Sequence, residues 1–148
     1  MQKDLQMEDI EANALLELIE PAIASHFAAH IHKCDLNRNQ VLHQPGQRAE
    51  RVYFPIKGVV ATFSETLAGE CVQTAITGCD GAVGIFEILG SGQFSSKATV
   101  QIPGVAVFLS NETFRQLFGA SRPFRFACRR HMEMALTEAR QAVVCNAL

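Results

Sequence analysis

With 148 residues, 48% of them apolar and 19% charged, the chain has the composition of one ordinary globular domain. That excludes long disorder, and a domain of this size buries roughly 68–70% of the surface its unfolded chain would expose. A net charge of −2 excludes a field that would draw the domain onto nucleic acid or an anionic membrane. Ten Phe, one Tyr and no Trp predict an aliphatic, Phe-rich core.

The N-terminal stretch "MQKDLQMEDIEANALLELI" is acidic throughout and has neither the basic start nor the apolar centre of a signal peptide. Nowhere do 18 apolar residues run together, so a cytoplasmic protein without membrane contact is expected. In "NALLELIEPAIASHFAAH", Leu15, Leu16, Leu18 and Ile19 form a helical stripe, and Pro21 suits the first turn of a second short helix.

Nine of the ten glycines lie from Gly46 to Gly104. Between them run β-rich segments: "QVLHQPGQ", "RVYFPIKG", "VVATFSETLAGE", "CVQTAITGCDG", "SSKATVQIPG" and "VAVFLSN". Short strands at such spacing, parted by Gly, Asp-Gly and Pro-Gly, predict an antiparallel sandwich or roll. Alternation predicts that one of Tyr53 and Phe54 faces the core and the other a pocket.

"SNETFRQLFGA" starts a helix capped by Ser110 or Asn111, with Glu112 in its first turn and an end near Gly119. A longer helix follows, capped by Ser121 with Pro123 in its first turn, running through Leu148. Met132, Leu136, Ala139 and Val143 recur along it at helical spacing, and Cys128 and Ala135 widen the stripe. Such a face is buried either on the domain's own sheet or on its twin in a second copy; a helix longer than the roll favours the homodimer.

Five cysteines, an odd number without a C-x-x-C pair, argue against a disulfide framework and predict buried free thiols. His26, His30 and His32 cluster, but no H-E-x-x-H motif accompanies them. The H-x-H of His30 and His32 resembles that of cupins, yet Glu50 and His43 stand wrongly for the rest of that metal set. Ser95 and Ser96 lie in no G-x-S-x-G elbow, so His131 has no hydrolase nucleophile beside it. Neither an enzyme nor a metal protein is expected; a cupin-like metalloenzyme is the enzyme alternative. Gly78, Gly81 and Gly84 would leave backbone N–H groups for an anion nest, though turn formation explains them too.

Taken in order, "QVLHQPGQRAERVYFPIKGVVATF", "ITGCDGAVGIFEILG" and the terminal "CNAL" resemble the first roll strands, the phosphate-cassette glycines and the dimerisation-helix end of Crp/Fnr-type transcription regulators. The resemblance covers nearly the whole chain. It implies a mainly β fold with flanking helices, a double-stranded β-helix (jelly-roll) of the cyclic-nucleotide-binding-like kind followed by a long dimerisation helix. The implied layout is one sensory domain over 1–148: N-terminal helices 1–30, β-roll 31–110, short helix 111–119 and dimerisation helix 121–148. It also implies a homodimer, a small-molecule effector in the roll, and DNA contact through a winged helix that this chain lacks, either by truncation or by loss.

In cyclic-nucleotide binders of this kind a Glu after the first cassette glycine holds the ribose, and an Arg two residues before an Ala clamps the phosphate. Matching Gly84 and Ala98 to those landmarks places Ile85 and Ser96 where the charges belong. Each charged hydrogen bond contributes about 1.5–3 kcal/mol. Losing two removes about two to four decades of affinity. Glu87 and Lys97 are the nearest substitutes, and Ser95 completes the degenerate cassette; strand alternation turns Lys97 outward if Ser96, Ala98 and Val100 face in. The expected protein is an effector-sensing regulator domain that does not bind cyclic nucleotides, without a known cofactor; a dimerisation or partner-binding scaffold is the alternative.

Overall fold

The computed structural model describes residues 2–147; Leu148, expected to end the last helix, lies outside them. A two-residue strand β1 (Gln2–Lys3) precedes helix α1 (Met7–Glu11), a 3₁₀ turn at Leu16–Leu18, helix α2 (Pro21–Phe27) and a second 3₁₀ turn at Ala28–His30. Pro21 does open α2. The stripe before it is not α-helical, however. The Asn13 amide is fully buried, its Oδ1 accepting from Leu15 N (2.9 Å) and Leu16 N (3.3 Å) while its Nδ2 donates to Pro55 O and Gly81 O. Such side-chain capping draws the backbone into a turn. Leu15, Leu16 and Ile19 are thereby buried, and Leu18 is left 43% exposed.

The sheet comprises β1, β2 (His32–Leu36), β3 (Val41–His43), β4 (Arg51–Glu65), β5 (Cys71–Thr77) and β6 (Lys97–Ser110), in the order β1-β2-β6-β4-β5, with β3 also on β6. All pairings are antiparallel. β2 has no counterpart among the expected runs, since "HKCDL" lacks β-branched residues. Four other expected strands merge into two long bent ones, β4 and β6. Their register slips three times between Pro55 and Val60, and such bulges bend a strand without ending it. The crossing requires glycine: at Gly58, with φ +90°, an added Cβ would fall 2.5 Å from Ile102 O, and one at Gly104 would collide with Lys57 O.

The bend divides the core. One cluster lies inside the roll (Leu36, Val60, Val83, Ala98, Val100, Ala106). The other lies between sheet and helices, where α3 (Ile85–Leu89) contributes Ile85 and Ile88, α4 (Asn111–Ala120) Phe114 and Leu117, and α5 (Arg122–Ala147) Phe124, Ala127 and Cys128. Phe124 joins the layers, its ring centroid 6.1 Å from Phe54 and 5.9 Å from Phe114. Both expected caps are present: Ser110 Oγ accepts from Thr113 N, and Ser121 Oγ accepts from Phe124 N at 3.2 Å and donates to Glu20 Oε2 at 2.6 Å. No helix among the described residues is long and apolar enough to cross a membrane.

The thiol expectation needs correction. Cys128 is buried, and its thiol pKa is pushed up to about 12 by desolvation. Cys34 is half-buried, whereas Cys71, Cys79 and Cys145 are exposed, because β5, the turn after it and the free end of α5 have no layer packed over them.

Candidate effector cavity

A cavity of about 560 Å³ opens between the β4–β5 hairpin, α3 and α5. β4 and β5 present Thr62 and Thr74, the latter donating its hydroxyl to Thr62 O at 3.3 Å. Gly84 opens α3 with φ +108°, where an added Cβ would come 2.8 Å from Arg51 O, so the chain can approach β4 only as glycine. One turn later Glu87 faces the cavity, and burial raises its pKa despite an opposing backbone hydrogen bond.

Of the seven expected cassette residues, Gly84, Glu87 and Ser96 line this space. Ile85 does not, being 1% exposed in the core beneath α3, and Ala98 is fully buried inside the roll. Ser95 is exposed, and Lys97, half-buried and paired across to Phe63, is absent from the wall. Ser96, Ala98 and Val100 are buried in alternation, as the strand period requires. The one guanidinium on the wall, Arg130, comes from α5, as does His131 beside it. His131 donates to the Ala82 carbonyl; burial lowers its pKa, while that hydrogen bond and the carboxylates of Asp80 and Glu138 partly oppose the shift.

His43, in the wall at 5% exposure, is stacked on Phe94 with centroids 3.6 Å apart and planes 4° apart. Its Nδ1 lies 2.9 Å from Ser96 O, and desolvation lowers its pKa, which keeps the ring neutral with Nδ1–H as donor. His43, Thr62, Thr74 and the α5 residues were missed as a site because they are far apart in sequence; alternating Thr on adjacent strands was their one local signal.

The expected dimer stripe divides. Cys128 is fully buried in its own domain and is unavailable to a second copy, because the first two turns of α5 dock on the helical core. Met132 packs partly on that core, and Ala135 and Ala139 line the cavity. Leu136 and Val143 stand 49% and 67% exposed. Among the histidines, His26 lies in α2, His30 ends the 3₁₀ turn and His32 packs against Phe108. Among the described residues no three His, Cys, Asp or Glu gather as a metal site.

Residues 33–121, well over half of the chain, match the family of cyclic nucleotide-binding domains. The chain belongs to that family. No curated protein sequence matches it. Among solved structures it is similar to the c-di-GMP-responsive global regulator CLP of Xanthomonas campestris (18% identity, TM-score 0.74, covering 87% of this chain and 65% of CLP). It is similar also to the Thermus thermophilus catabolite activator protein (16%, TM-score 0.73, covering 91% and 63%). A third is the guanosine-bound regulatory subunit of a cAMP-independent protein kinase A from Trypanosoma cruzi (16%, TM-score 0.73, covering 93% and 49%). At these identities the likeness is one of fold, and the chain spans between half and two-thirds of those proteins' lengths. The jelly-roll with flanking helices expected from the sequence is the fold observed.

Proposed function

We propose that the protein is the effector-sensing domain of a Crp/Fnr-like transcription regulator, and that its effector is an uncharged, ring-bearing small molecule rather than a cyclic nucleotide. The observation that carries this is the composition of the cavity wall. Its roll side offers hydroxyls, one neutral imidazole and carboxyls but no cation, and the cavity's one guanidinium, Arg130, belongs to α5, so a cyclic phosphate seated in the roll would lose its hydration without a partner there. A neutral ligand has no such cost. The guanosine-bound T. cruzi regulatory subunit supports the reading, since an uncharged nucleoside occupies a protein of this fold.

α5 supplies one wall through Arg130, His131 and Met134, so a bound effector touches the roll and the helix at once. Leu136 and Val143, on the same helix, then carry the response to a second copy of the chain. A net charge of −2 gives these 148 residues no overall attraction for DNA, which suits the sensing role and not the DNA-contacting one.

Thermal unfolding with guanosine and with cyclic AMP at equal concentrations tests the reading. Guanosine is expected to raise the midpoint more than cyclic AMP, because mass action stabilises only the form that binds. A larger shift with cyclic AMP, abolished by Glu87→Gln, would overturn it.

A further inference from the structure

A second pocket, of about 300 Å³, lies where β3 passes into β4. Its charged wall consists of Arg48, Glu50 and Arg51, two cations against one anion. Strand alternation sends Arg51 and Tyr53 to this pocket while Val52 and Phe54 go fully into the core. Phe94 and His43 form an aromatic wall, their rings stacked.

The pocket is held in shape before any ligand arrives. The loop carrying Arg48 is tied to the loop carrying Phe94 by Gly46 N to Phe94 O (2.7 Å), Phe94 N to Gln47 O (2.9 Å) and Ala49 N to Gly92 O (2.8 Å). The Arg51 guanidinium lies 4.5 Å above the Phe108 ring, which fixes its direction. Neither arginine is ion-paired among the described residues. Two forks free to donate, beside aromatic faces on a tied loop, suit an oxyanion of the carboxylate or phosphate kind and reduce the ordering cost of binding it.

We propose that this pocket is a second ligand site, distinct from the effector cavity, for a small carboxylate or phosphate borne on a flat ring. Arg48 and Arg51 hold the oxyanion, Tyr53 and Phe94 contact the ring, and Glu50 disfavours more highly charged anions. His43 is the one residue lining both spaces, so they meet at its imidazole ring.

The test is calorimetric titration of the 148-residue chain with phenyl phosphate and with benzoate, and with inorganic phosphate and phenol as partial ligands. Saturable binding of at least one of the two ring-bearing anions, weaker for either partial ligand, is expected, and the stronger of the two names the oxyanion. Arg48→Ala should lower that affinity by about tenfold, the loss of one charged hydrogen bond. It is exposed, so folding should not be at issue. Arg51→Ala should do the same or more, and Glu87→Gln in the other cavity should change nothing. The proposal is overturned by no saturable heat with either anion, by affinity indifferent to both arginines, or by loss of binding in Glu87→Gln.

Discussion

The two ends of α5 are built from similar residues and held in different ways. Through Cys128 the helix is part of the domain: Phe124, Ala127 and Cys128 are buried, and Ser121 ties its start to Glu20. From Arg129 onward the chain gives it little cover, and Leu136, Val143 and Val144 are 49%, 67% and 51% exposed. Apolar periodicity runs through both halves unbroken. A stripe therefore records that a face is to be buried without recording by what, and here one helix serves its own core first and lines the cavity further on, the second copy being the partner proposed for its exposed face.

The docked end should be the more sensitive. Phe124→Ala removes the ring joining Phe54 and Phe114 from a site with no exposure, and a loss of about 3–5 kcal/mol is expected in chemical denaturation. A loss below 1 kcal/mol would show that the root of α5 is held by something other than this cluster. Ser121→Ala should cost less, about 0.5–2 kcal/mol, since it removes the cap on Phe124 N and leaves the packing.

Between the two ends sits His131, and its effect depends on pH. Burial lowers its folded pKa below the ordinary 6.5, as it does for His43. Such a group stays neutral in the fold and takes up its proton more readily when unfolded, so its contribution is complete above pH 6.5 and is lost as pH falls below that value. Glu87 acts in the opposite sense: its folded pKa is raised, so acidification through that pKa removes a penalty. Melting midpoints from pH 7.5 to 5 should therefore fall less steeply in His131→Gln and more steeply in Glu87→Gln. Parallel curves for all three proteins would exclude both assignments.

Much of the fold was legible because each signal was local. Pro21, Ser110 and Ser121 mark helix starts through their own backbone bonds, and glycines mark the turns of the roll. The merging of four runs into β4 and β6 was not legible, since Gly58 reads as a turn unless Gly104 is known to cross it. The helix expected at Leu15–Ile19 failed for a similar reason: Asn13 acts through Pro55 and Gly81, more than 40 residues away. Of the matched cassette residues, Gly84, Glu87 and Ser96 line the cavity, whereas Ile85 does not, because a short helix turns that side chain into the core. Matching by order of residues carries no information on which way a helix faces.

The smallest effect on folding should come from the free end of α5, and it distinguishes most sharply between the helix's two roles. Leu136→Glu places a charge at a position 49% exposed in the single chain, so the monomer's stability should change by no more than about 0.5 kcal/mol. In a dimer joined by this face, the same carboxylate would be desolvated on both copies without a partner, and burial of an unpaired charge is costly enough to prevent association. Native mass spectrometry should then give a dimer for the parent chain and a monomer for the variant, with similar melting curves extrapolated to low concentration. If the mass stays dimeric, the contact lies elsewhere, and the exposed β5 with Val72 and Ile76 becomes the face to mutate. If the variant instead unfolds, the distal half of α5 belongs to the core after all, and the division between its two ends is wrong.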